Sequence, residues 1–226
     1  MTLADLFRQL SILVGLPAVL IAAVAAATIV VVRDWRIVLY AYAAFSVMLA
    51  LLLSQVIPTE WALLQAITGG LIAVMLFLAA RQLRWHPTSG VSWEGRWPQM
   101  VSLGGFRALA LALAAVTFLV SRESIELPKV DLLFRDMIYW LALAGLLGLA
   151  LHEEPLHAGL SLLIVASGFQ LLICTLVQQR MMIGLMEGGQ LLLGLAISYL
   201  MVARGLDTSR PAADATPVRD VYDPRP

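Results

Sequence analysis

Two groups of residues in this chain have the types and spacing for chemistry. The first is the stretch "LHEEPLHAGLSLLIVASG", Leu151–Gly168. His152, Glu153, Glu154 and His157 are the residue types of a zinc site with a glutamate base. A helical zinc motif of that kind needs its histidines at i and i+4, on one face. Here they stand at i and i+5, about 140° apart on a helix of 3.6 residues per turn. Pro155 falls between them and breaks a helical hydrogen bond. The stretch therefore reads as a polar turn, with Pro155 near a helix start and the two glutamates favouring its positive N-terminus. The second group is Glu187 with Gln190 in "MMIGLMEGGQLLLGLAISYL", a carboxylate and an amide at i and i+3 inside an apolar run. An ionisable group there either binds a proton on an ion path or pairs with an arginine to hold helices together. Both readings stand on sequence.

Composition says what must position these groups. The chain has 226 residues, 61% hydrophobic and only 13% charged. A soluble domain carries about 25% charged residues, so this is a membrane composition. Net charge is zero, which leaves no basic excess for nucleic acid. The single cysteine, Cys174, cannot form an intrachain disulfide or a thiolate cluster, and it reads as a packed thiol.

Seven runs have roughly the 20 apolar residues that cross a bilayer: 10–32, 36–57, 61–80, 100–121, 132–151, 156–177 and 181–203. All are expected to be helices, because hydrocarbon offers no other partner for backbone polar groups. The fold class is thus an all-α integral membrane bundle, with residues 1–203 as one domain. The first run is longer than a signal-peptide core, and Asp5 and Arg8 before it cancel, so it reads as a retained span. The tail, 204–226, is rich in Pro, Ala and Asp and is expected to be disordered. Trp35, Trp61, Trp85, Trp93 and Trp97 flank the runs, as interfacial rings do, while Trp140 lies within the fifth. Arg33, Arg36, Arg81, Arg84, Arg96, Arg107 and the tail arginines fall on one side, outnumbering Arg8, Arg122, Lys129, Arg135 and Arg180 on the other. The richer side is expected to be cytoplasmic, with the N-terminus outside and the C-terminus inside.

Other polar groups take their meaning from these spans. Arg135 and Asp136 open the fifth run and read as a structural pair at its outer interface; on depth alone Arg135 could also reach Glu187. Arg107 lies inside the fourth run, where snorkelling of its long side chain accounts for it, although it also counts with Glu187, Gln190 and Gln170 among the intramembrane polar candidates. Gln65, Thr68, Ser167 and Gln170 read as interhelical hydrogen bonders. Gly184 and Gly188 form a GxxxG that lets another helix approach closely. No nucleophile motif, P-loop or dinucleotide fingerprint occurs. All three histidines lie in loops or at span edges, so paired haem ligands are unsupported. His86, His152, Glu153 and His157 are the only set on which a membrane-embedded enzyme could draw. No catalytic residue, metal or cofactor is expected.

The last three spans, "MIYWLALAGLLGLALHEEPLHAGLSLLIVASGFQLLICTLVQQRMMIGLMEGGQLLLGLAISYLMVARG", resemble the C-terminal half of hydrogenase-4 component E, which is similar to the K-type membrane subunit of respiratory complex I. The shared layout is a glycine-bearing helix, a polar turn, a small-residue helix, a very short turn and a helix closing on "LMVAR". The second and third spans, "DWRIVLYAYAAFSVMLALLLSQVIPTEWALLQAITGGLIAVMLFLAARQL", also look like that family. The resemblance implies a bacterial-type inner-membrane subunit of an ion-pumping redox complex. It would sit among antiporter-like and quinone- or hydrogenase-facing subunits, with redox chemistry carried elsewhere. It departs at Ala166, where the family has a mid-helix acid, and at "HEEPLH", which lacks the family turn's arginine. A stand-alone permease for a small solute or ion is the alternative.

Overall fold

The computed structural model describes residues 15–82, 97–122, 130–177 and 180–209. His86, Trp85, Trp93, most of the 81–99 and 121–131 loops, and the tail from 210 lie outside them. The described residues form seven helices and no strand: α1 (Leu16–Val31), α2 (Trp35–Leu53), α3 (Thr59–Gln82), α4 (Trp97–Ser121), α5 (Leu132–Leu151), α6 (Pro155–Leu176) and α7 (Arg180–Ser209). Five of them, α2, α3, α5, α6 and α7, are long and apolar enough to cross a membrane. Helix α1 and the apolar part of α4, Gly105–Ser121, are shorter.

Local chemistry sets the boundaries. The first run was expected to be helical from residue 10; residues 10–14 lie outside the described residues, and α1 begins at Leu16. Gly15 takes φ +108°, outside helical geometry and accessible to glycine, and Pro17 fits the first turn. Asp34 caps α2 by accepting from the Arg36 amide at 3.0 Å. Pro155 opens α6 in the position where its missing N–H costs nothing. Helix α7 continues to Ser209, so residues 204–209 of the expected disordered tail are helical, and the rest of that tail lies outside the described residues.

Six helices close a ring. Helix α1 packs on α2, α2 on α3, α3 on α7, α7 on α6, α6 on α5, and α5 back on α1. Helix α6 also reaches α1 and α2 across the middle. Helix α4 lies outside the ring against α5 and α1. Small residues permit these approaches. Ala18, Ala22, Ala25 and Ala26 are the buried face of α1. A side chain on Gly148 would collide with Ser161, one on Gly159 with Ile197, and one on Gly194 with Ile72. Leu49, Leu52, Ile72, Leu141, Leu160, Leu163 and Leu171 fill the space between. Trp140 is no interfacial ring here: its indole N–H donates to the Ala23 carbonyl of α1 at 3.2 Å.

Gly184 and Gly188 do not form a seam within this chain. Gly188 faces open space, and Gly184 meets only the Trp61 ring at 3.8 Å. The glycines that bring helices together include Gly69, Gly145, Gly148, Gly159, Gly168 and Gly194.

Candidate functional site

Helices α3, α6 and α7 bring one polar group each, or two, to the same depth. Glu187 lies about 10 Å along α7 from its start at 1.5 Å per residue. Gln65 stands as far into α3, and Gln170 as far from the end of α6. The ring topology places these three ends side by side. Glu187 is 3% exposed, Gln190 4%, Gln65 2% and Gln170 0%.

The carboxylate sets the direction of the hydrogen bonds. An ionised carboxylate only accepts, so an amide N–H must face it. Gln170 Nε2 donates to Glu187 Oε1 at 2.6 Å. Gln190 Nε2 then donates to Gln170 Oε1 at 2.5 Å. Gln65 Nε2 reaches Gln190 Oε1 at 3.5 Å, the loosest link. Thr68, one turn along α3 from Gln65, presents its hydroxyl to the same carboxylate. Tyr42, on α2, is close enough to feel the Glu187 charge. Two buried acceptors are left bare: Glu187 Oε2 and Gln65 Oε1. None of the ion pairs among the described residues includes Glu187. A bare ionised carboxylate in hydrocarbon costs several kcal/mol. A proton or a small cation on Oε2 removes that cost, and binding one is the chemistry this arrangement can do. Gln190 also lines a surface groove of about 780 Å³ between α6 and α7, with Ala166, Phe169, Gly188 and Gly189. The cluster therefore has one edge near the outside of the bundle.

The other candidates sit elsewhere. Arg135 holds its neighbour Asp136, with Nε at 3.1 Å and Nη2 at 3.0 Å from Oδ1. No ion pair among the described residues joins Arg135 to Glu187; Gln170 has the place at the carboxylate that an arginine was expected to fill. Ser167 does not bridge helices. Its hydroxyl donates to the Leu163 carbonyl of its own helix at 2.8 Å, a common resting place for serine in a helix. Arg107 does not join the Glu187 cluster. Phe118 of α4 stacks on Tyr139 at 6.0 Å and meets Trp140 edge-on at 5.6 Å. That register carries Arg107 to the α5–α6 turn, where its charge acts on Glu154 and His152.

At that turn the histidines meet although they share no helical face. His152, just after α5, takes an extended backbone, and its Nδ1 is 2.9 Å from the Gly148 carbonyl. His157 is in the first turn of α6. The two rings stack at 4.9 Å and 8°. Glu154 Oε2 is 3.1 Å from His157 Nδ1, an ion-pair distance without hydrogen-bond alignment. Glu154 Oε1 is 3.7 Å from Arg33. Arg204 of α7 donates to the Glu153 carbonyl at 3.2 Å. Burial pushes His152 down to about 4, against the Gly148 hydrogen bond and helped by the charges of Arg107 and His157. Glu154 is held below its ordinary range, first by its contact with His157 and then by the charges of His157, Arg33 and Arg107, which outweigh burial. No group of three or more His, Cys, Asp or Glu among the described residues is placed to hold a metal. Spacing in the sequence fits the separate contacts of His152 with Gly148 and of His157 with Glu154, but not the stacking of the two rings.

The chain matches no known family model, no curated protein and no solved structure.

Proposed function

We propose that the chain is a non-catalytic membrane subunit of an NADH dehydrogenase- or hydrogenase-like, ion-translocating redox complex. In this reading it spans a bacterial-type inner membrane seven times, with its N-terminus outside and its C-terminus in the cytoplasm. The observation that carries the reading is the Glu187 carboxylate, buried among Gln170, Gln190 and Gln65 of three helices with one oxygen bare. No arginine or lysine among the described residues pairs with this carboxylate. Amides hold it in place and leave its charge for a mobile cation. The layout shared with hydrogenase-4 component E and the K-type subunit supports placing that step in a redox-driven complex. The absence of the family acid at Ala166 makes Glu187 the carboxylate that would carry the ion here.

The test is extraction of the tagged chain in mild detergent, a native gel, and mass identification of what migrates with it. Co-migration with antiporter-like and iron–sulfur subunits is expected. Glu187→Gln should then preserve the assembly and abolish redox-driven ion uptake into vesicles. Migration alone or as a small homo-oligomer would overturn the complex reading in favour of a stand-alone permease.

A further inference from the structure

The Glu187 cluster leaves the histidine turn unexplained. Two imidazoles are buried there, His157 at 1% and His152 at 6% exposure. Three of their four ring nitrogens have no hydrogen-bond partner. Buried polar atoms are normally satisfied, so a cluster of bare ones asks what satisfies them. Stacked rings point their lone pairs side by side and do not converge on one point, so a shared metal ion does not fit. A proton does.

The two rings are not equivalent. A carbonyl can only accept, so His152 must donate from Nδ1 to Gly148, which leaves its Nε2 as a bare acceptor. A carboxylate stands beside His157 but not beside His152. A proton on His157 therefore gains an adjacent anion. A second proton on His152 would feel that anion only at a distance and would face a like charge one ring-stack away. Glu154 is 42% exposed on its side chain, so it links the aqueous phase to the buried His157. It is also shared, because its other oxygen contacts Arg33. The charged groups facing the pair are Arg33 from the α1–α2 turn, Arg107 from α4, Glu153 and Glu154 from the α5–α6 turn, and Arg204 from α7.

We propose that His152, His157 and Glu154 form a one-proton binding site at the arginine-rich end of the bundle. His157 takes a proton from water by way of Glu154, and His152 stays neutral. The proton forms an N–H bond on His157 and draws the Glu154 carboxylate into line with that ring and away from Arg33. The site lies at the end of α6 opposite Gln170 and Glu187, and it does not depend on Glu187 binding an ion.

The test is a pH titration of the full chain in lipid nanodiscs with isotope-labelled histidine, read by nuclear magnetic resonance. His86→Gln removes the third histidine signal. One ring of the pair should gain a proton as pH is lowered, while the other keeps its neutral Nδ1–H signature. Glu154→Gln should move the midpoint down by about one pH unit, and Arg33→Ala, which leaves Glu154 to the histidine, should move it up. Arg33→Ala decides the matter if Glu154→Gln does not fold. Two rings titrating independently, neither titrating, or a midpoint indifferent to both substitutions would overturn the proposal.

Discussion

Glu187 differs from the other described carboxylates in lying inside an apolar helix and not at the end of one. Its partner Gln170 is as buried as it is, so their hydrogen bond has no water to replace it. Gln170→Leu strips Oε1 of its donor and leaves the Gln190 amide without an acceptor. We expect a loss of about 1–3 kcal/mol, seen as a lower unfolding midpoint in detergent. Gln170→Glu would instead set two carboxylates together and should be more disruptive at high pH than at low. At the turn, His152 binds its proton only near pH 4, against an ordinary 6.5. Between those values the unfolded chain holds a proton that the native chain does not. The His152 contribution to stability therefore falls as pH drops from about 6.5 toward 4. Glu154, held below its ordinary 4.5, adds a loss of the same sign at lower pH. His152→Gln should flatten the upper part of that slope in thermal unfolding measured from pH 7 to 5. An unchanged slope would show that His152 does not titrate as its burial requires. Sequence alone could pair Glu187 with Gln190, because i and i+3 share a helix face. It could not find Gln65, which needs α3 to lie against α7. Nor could it find the histidine stack, which depends on the backbone path around Pro155.

At the scale of helices, apolar length predicts where the elements are, and small residues decide how close they come. Among the described residues a helix lies on each of the seven apolar runs, and five of these are long and apolar enough to cross a membrane, because run length and the demand for backbone hydrogen bonds are local properties. The described start of α1 follows Gly15, whose backbone lies outside helical geometry. The placement of α4 was not legible. Its own sequence puts Arg107 inside a span, but aromatic contacts between Phe118 and α5 fix its register and bring Arg107 level with the turn. The glycines show the same limit. GxxxG spacing singled out Gly184 and Gly188, yet contact depends on which face another helix covers. Gly148→Val should collide with Ser161 and cost about 1–3 kcal/mol. Gly188→Ala should stay within about 0.5 kcal/mol, since nothing lies within 4 Å of the added carbon. Paired unfolding curves of the two variants test this. Equal losses would mean that α5 and α6 do not approach at Gly148 as described.

Among the described residues, a ring of six helices holds a buried carboxylate outside any ion pair near one end and a buried imidazole pair at the other. The ring explains why α6 is so polar for a central helix. It borders four neighbours, and its His157, Ser161, Ser167 and Gln170 are all buried by them. Serines satisfied on their own backbone tolerate that burial without partners. His157 and Gln170 cannot, and they sit where the two unsatisfied clusters lie. The functional reading stands on Glu187 being a group that gains and loses a cation while buried. The measurement that tests this most directly is the infrared carboxyl band of the chain in lipid, assigned by its loss in Glu187→Gln and followed against pH and sodium. A band that fades as pH rises, or as sodium is added at fixed pH, is the expected result, and it would also say which cation binds. A carboxyl whose state never changes across that range would make Glu187 a structural group and contradict its role in ion movement.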